Sequence, residues 1–229
     1  MDVEAWSGRC EAFVRDHVAG DPAHDLGHVR RVVAWARRLA EAEGADLGVV
    51  VPAAWLHDCV VLPKDHPDRA RASRLAAEAA TTWLRRQGFP EAELAAVAHA
   101  VEAHSFAAGV EPRTPEAAVV QDADRLDALG AVGLARCYAT AGATGAALAH
   151  PTDPLHRTGR ALDDRRFATD HLFTKLLGLP ATMRTAAGRA EAERRAAFVR
   201  AFLDRLAEEV DAAAGGPGAD VAPPSGDGG

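Results

Sequence analysis

Lysine is almost missing from this chain of 229 residues: Lys64 and Lys175 are the two lysines among 26 basic side chains, the rest being arginine. Codon composition alone can produce such a bias, so a lysine that survives it is more informative than usual. Cysteine is scarce too. Cys10, Cys59 and Cys137 are odd in number, far apart and never in a C-x-x-C pair, which argues against a disulfide framework or a zinc knuckle and fits a reducing compartment. Long apolar runs are also lacking. A membrane span needs about 20 consecutive apolar residues, whereas the longest uncharged stretch, Cys137 to Thr152, is rich in Gly, Thr and Ala. The amino end has no basic segment followed by an apolar one, so no secretory signal is read there and a cytoplasmic location is expected. Excess positive charge is absent as well: the net charge is −7, which removes the electrostatic footprint for bulk nucleic-acid binding.

What is present is 48% hydrophobic residues, enough for a chain of this size to build a core without staples. Apolar residues recur at three- and four-residue steps, alternating β-branched runs are almost missing, and the expected fold is all-α. The start and stop signals predict helices over Val3–Val18, Leu26–Glu43 (closed by Gly44), Leu47–Val61 (capped by Asp46), Pro67–Arg86 and Pro90–His104. A further helix runs from Thr114-Pro115 towards Tyr138 with interruptions at Gly130 and Gly133; a long loop follows over Gly142–Thr158, then helices over Ala161–Leu177 and Pro180–Val210. One domain over residues 1–214 is expected, with a disordered Gly/Pro-rich tail over 215–229. There is no internal repeat.

The third predicted helix is apolar on every side, from Val49 through Leu56 and again from Cys59 to Leu62, and so must be buried, together with His57 and Asp58 inside it. A buried carboxylate needs protonation, a cation or a metal ion. Neighbours on a helix point about 100° apart, so an ion touching both must lie off that helix, with other segments completing its shell. Two segments can do so. His24-Asp25-Leu26-Gly27-His28 opens the second helix with two imidazoles four residues apart, and Gln121-Asp122-Ala123-Asp124-Arg125-Leu126-Asp127 sets three carboxylates in an apolar frame. One histidine, the His57-Asp58 pair and one aspartate would supply two imidazoles and two carboxylates. That mixed set suits Mn, Fe, Ni, Co or Mg better than a structural zinc and leaves positions open on an octahedral ion.

This H…HD…D pattern resembles the HD-domain superfamily of metal-dependent phosphohydrolases. The flanks His24–Val32, Trp55–Asp58, Lys64–Arg69, His104-Ser105-Phe106 and Gln121–Gly130 are similar to a bacterial branch of short HD proteins, the YedJ-like and YpgQ-like group, over roughly residues 20 to 210. The resemblance implies a single HD-type helical bundle that binds one divalent ion through His28, His57, Asp58 and Asp124. His28 is preferred to His24 because Val-Arg-Arg-Val after it matches the family frame. Hydrolysis of a small nucleotide is the implied chemistry, and in this branch a nucleoside triphosphate is cleaved to monophosphate and pyrophosphate. Lys64 and Arg69 would then meet phosphate charge, His104 would bind substrate or move a proton, Asp127 would contact substrate or stand behind the ligands, and Asp58 would serve catalysis as well as the ion. Thr169-Asp170-His171 near Lys175 resembles another segment of the branch and is expected near the substrate.

Each of these residues has a plainer reading: an ion pair for His57-Asp58, a solvated turn for Lys64 and Arg69, a helix-end histidine for His104, solvent or site for Asp122. Two rival functions stand beside the hydrolase, a di-iron oxygenase on the same fold and a non-catalytic nucleotide-binding module. No Gly-rich phosphate loop is present, no nucleic-acid polymer or membrane is expected as partner, and the Ala-rich helical surface could pair as a homodimer without any heptad pattern to demand it.

Overall fold

The structure is a computed structural model that describes residues 1–17, 25–62, 66, 68, 71–105 and 108–213. His24, Lys64, Arg69 and the 215–229 tail lie outside the described residues. Among the described residues there are nine α-helices and no named strand: α1 (Val3–His17), α2 (Leu26–Glu43), α3 (Leu47–Leu56), α4 (Ala72–Arg86), α5 (Glu91–Ala103), α6 (Pro115–Asp127), α7 (Gly130–Ala143), α8 (Ala168–Thr174) and α9 (Ala186–Ala213). A 3-10 helix, Leu176–Thr182, joins α8 to α9. The all-α expectation is met.

The axis of the bundle is α3. Every residue from Gly48 to Leu56 is buried, and α1, α2, α4, α5 and α6 all pack on it. Burying a Val or Leu side chain fully is worth about 1.5–3 kcal/mol, which lets α3 keep Pro52 in its interior although the ring removes a helical hydrogen bond. Local chemistry sets its ends. Asp46 accepts from Gly48 N at 2.7 Å at the start, as an N-cap should. The helix stops at Leu56, five residues before the expected Val61, and His57 donates Nδ1–H to the Ala54 carbonyl at 2.8 Å. An imidazole thus satisfies one of the carbonyls that a helix end leaves over. His57 and Asp58 therefore lie in the turn beyond α3, which frees both to face one point.

The helix expected to run through to Tyr138 is two helices. Gly130 adopts φ +72°, a left-handed conformation that glycine takes at little cost, and α6 ends at Asp127 before α7 begins. At Gly133 a Cβ would stand 2.2 Å from the Ala128 carbonyl oxygen, so the chain doubles back with its backbones almost touching. The region after α7 runs as a loop to Phe167, longer than expected, closed by a single bridge between Ala147 and Phe167. Within it Asp153 accepts from Arg157 N (2.7 Å), Thr158 N (3.0 Å) and Thr158 Oγ1 (2.6 Å). The helices expected over 161–177 and 180–210 shrink to α8 and shift to α9.

Candidate metal centre

Four segments far apart in sequence bring six titratable side chains together beside the end of α3. His28 comes from the first turn of α2, where Asp25 caps the helix by accepting His28 N at 2.7 Å. His57 and Asp58 follow α3, His104 ends α5, and Asp124 and Asp127 lie one turn apart near the end of α6. His28, His57 and Asp58 each place one donor atom within 4.8 Å of the others. Asp124 Oδ1 stands 3.5 Å from His28 Nε2 and 3.9 Å from His57 Nε2. Asp58 Oδ2 mirrors it, 3.5 Å from His57 Nε2 and 3.9 Å from His28 Nε2.

The imidazoles are oriented from behind. His57 and His104 both donate Nδ1–H to the main-chain carbonyl three residues back, at 2.8 Å and 2.6 Å, and the His28 Nδ1–H goes to Asp127 Oδ2 at 2.7 Å. Since carbonyls and carboxylates only accept, all three rings carry a proton on Nδ1, which leaves the Nε2 lone pairs of His28 and His57 facing the centre. Burial lowers the His57 pKa, which keeps that ring neutral as a ligand must be. Its Nε2 is buried without a hydrogen bond, a costly state for a polar atom that a coordinated cation would relieve. For His104, burial opposes a charge, yet the Asp58 carboxylate, its Oδ1 3.4 Å away, holds the pKa up at about 8. The imidazoles are sealed, with His28 and His57 side chains 1% and 0% exposed, while Asp58 and Asp124 are 21% and 29% exposed. Access is therefore from the carboxylate side.

Of the two places expected for Asp127, against substrate or behind the ligands, its contacts are those of the second. Its side chain is 3% exposed and both oxygens are taken, by His28, by Arg31 at 2.7 and 3.1 Å and by Arg136 at 2.8 Å. Burial would raise its pKa, but the His28 and Arg31 hydrogen bonds prevail and hold the carboxyl well below the usual carboxylate range. It acts on His28 from the nitrogen opposite the centre. Asp122 belongs neither to solvent nor to the site: its fully buried carboxylate accepts from Arg184 N, Thr185 N and Thr185 Oγ1 at the start of α9. Asp170 is also fully buried and is paired with Arg160 at Oδ1 and, at 2.7 Å, at Oδ2. Sequence reasoning missed three contributors. Arg31 could have been found, since it stands one turn from His28 on α2, but Arg136 depends on how sharply α6 turns into α7. Gln121 steadies the His104 turn by donating Nε2–H to the Ala103 carbonyl at 2.6 Å.

Known proteins are similar to this chain. The HD domain family matches residues 25–129, which include every proposed ligand. The Bacillus subtilis protein YpgQ is 35% identical over 204 residues, covering 87% of this chain and 89% of its own. The chain belongs to the HD-domain family. A crystal structure of YpgQ in complex with ADP superposes with a TM-score of 0.72 at 32% identity, covering 91% of this chain and 97% of that one. An HD-superfamily hydrolase from Bacillus thuringiensis superposes with a TM-score of 0.68 at 31% identity, over 92% and 97%. Membership in the HD-domain family makes the chain a metal-dependent hydrolase, and the buried Nε2 of His57 with its ring of nitrogen and oxygen donors fits a divalent ion. No helix among the described residues is long and apolar enough to cross a membrane.

Proposed function

We propose that this HD-domain protein hydrolyses nucleoside triphosphates, ribo or deoxy, to the monophosphate and pyrophosphate. The observation that carries the reading is the asymmetry of the centre: nitrogen donors sealed on the inner side, the two carboxylates open on the outer. His28, His57, Asp58 and Asp124 hold one ion, and two imidazoles with two carboxylates accommodate Mn, Ni, Fe, Co or Mg. A bound divalent ion supplies acidity to a coordinated water and positive charge to a phosphoryl oxygen. The protein supplies the rest. Asp58 carries the water proton away from the attacking face, and its Oδ1 lies 3.4 Å from His104 Nε2, which is placed to return a proton to the departing oxygen. The bond formed joins the water oxygen to the α-phosphorus, and the bond broken is that to the bridging oxygen, which leaves with pyrophosphate. Lys64 and Arg69 are assigned the outlying phosphate charges, and the family likeness to YpgQ, solved with ADP, supports a nucleotide as ligand.

Metal-replete protein incubated with a panel of nucleoside triphosphates, diphosphates and phosphorylated metabolites should release pyrophosphate from the triphosphates. Orthophosphate as the first product would move the attack to the terminal phosphorus and overturn the assignment. His57→Ala and Asp58→Ala should each lose bound ion, by elemental analysis, and turnover by at least a hundredfold. Full activity in either variant would remove this mechanism.

A further inference from the structure

Asp127 is gripped more firmly than its charge requires. Arg31 takes it with two prongs, Nε to Oδ1 at 2.7 Å and Nη2 to Oδ2 at 3.1 Å, which already pairs the buried carboxylate. Arg136, from α7, adds a second guanidinium: its Nη1 reaches Oδ2 at 2.8 Å and also the Asp127 main-chain carbonyl at 3.2 Å. One arginine donor thus ties the side chain and the backbone of the same residue, at the point where α6 ends. Oδ2 then receives three donors, from Arg31, Arg136 and His28, two of them guanidinium groups on different helices. With the Asp127 side chain 3% exposed, water is poorly placed to take over from a missing guanidinium.

We propose that Arg136 is a positioning residue of the metal centre, acting with Arg31 through Asp127 to fix the ring plane of His28. His28 can turn about its Cβ–Cγ bond, and a turned ring would swing Nε2 away from Asp58 and Asp124, which it faces at 3.9 and 3.5 Å. Its Nδ1–H bond to Oδ2 resists that motion only as far as Oδ2 is itself immobile. Arg31 shares α2 with His28, so it holds Asp127 relative to the ring's own helix. Arg136 holds Asp127 relative to α7, and so couples the α6–α7 corner to a ligand on α2. Groups behind a metal-bound histidine typically contribute 10- to 100-fold to metal affinity.

The inference rests on His28 being a ligand, and the test separates the two. Chelator-stripped full-length protein would be titrated with manganese(II) by calorimetry, as wild type, Arg136→Met, Arg136→Lys, Asp127→Asn and the Arg136→Met/Asp127→Asn double variant. Arg136→Met should weaken manganese binding 10- to 100-fold, and Arg136→Lys, which keeps the charge but not the fork, should recover part of that. In the Asp127→Asn background Arg136→Met should add less than about threefold, because its route to the ion is already cut. Wild-type affinity in Arg136→Met, or an equal loss in both backgrounds, would overturn the positioning role; the lysine variant decides if the methionine variant does not fold. A wild type that takes up no manganese, nickel or cobalt would overturn the metal reading and this inference with it.

Discussion

A single carboxylate organises the long loop after α7, and its pH dependence follows from its partners. The Thr158 hydroxyl at 2.6 Å, with the backbone N–H groups of Thr158 and Arg157, holds the Asp153 carboxyl down at about 2, against an ordinary 3.8. The folded pKa is depressed, so the stability this group contributes is complete above the ordinary value and is lost as pH falls through about 2. At pH 3.5 an unperturbed aspartate would be largely protonated, whereas Asp153 should still be charged and the Thr158 amide still protected from hydrogen exchange. Asp153→Ala should expose that amide at pH 5 without changing protection in α3. Loss of protection in the wild type that tracks a midpoint near 3.8 would refute the assignment. The metal site follows the same residue-scale logic: His57, His104 and His28 are useful because each Nδ1–H already has an acceptor.

At the scale of elements, the α6–α7 corner decides whether Arg136 can meet Asp127. Gly133 has no space for a side chain, since a Cβ there would lie 2.2 Å from a backbone carbonyl oxygen. Gly133→Ala should therefore prise the two helices apart, at a cost of about 1–3 kcal/mol in chemical unfolding, and weaken manganese binding in step with loss of the Arg136 contact. An alanine variant with unchanged stability and affinity would show that the corner is not what seats Arg136. This corner also marks where the sequence stopped being legible. Periodicity and caps placed α2 to the residue and α5 to within one, because Gly44, Pro90 and the apolar stripes are local signals. The His57-Asp58 pair was legible through the buried frame of α3, though as part of the helix, because nothing local announces that an imidazole will end it by bonding Ala54. The break at Gly130 was visible only as an interruption, since a glycine inside a helical pattern can bend, pack or stop it and tertiary contacts choose among these. The partners of Asp127 and Asp122 were not legible, for they come from α7 and the start of α9, and no short-range pattern encodes that meeting.

Across the whole molecule, α9 fastens the helices that carry the ligands to one another. Glu43, at the end of α2, accepts from Ala187 N at 2.7 Å, and Arg195 donates to the Leu126 carbonyl beside Asp127. Asp122, on the same helix as Asp124, receives Arg184 N, Thr185 N and the Thr185 hydroxyl at 2.8–3.1 Å. A carboxylate of α6 thus caps a helix that begins about sixty residues later in the chain, and Gly188 leaves room for it, since a Cβ there would stand 2.4 Å from Asp122 Oδ2. Removing the acceptor leaves buried N–H groups unsatisfied, which costs about 1–3 kcal/mol each. Asp122→Ala should accordingly lower the melting temperature by about 4–8 °C, taking about 2 kcal/mol net and a chain of this size, whereas Asp122→Asn, which keeps a carbonyl acceptor, should lose less than half of that. Manganese affinity per folded molecule should stay within about threefold of wild type in both variants, because Asp122 faces α9 and Asp124 faces His28. A thermal shift absent in Asp122→Ala would mean that α9 is held by its apolar face alone. A large affinity loss at preserved stability would instead place Asp122 among the groups that orient the ion's ligands.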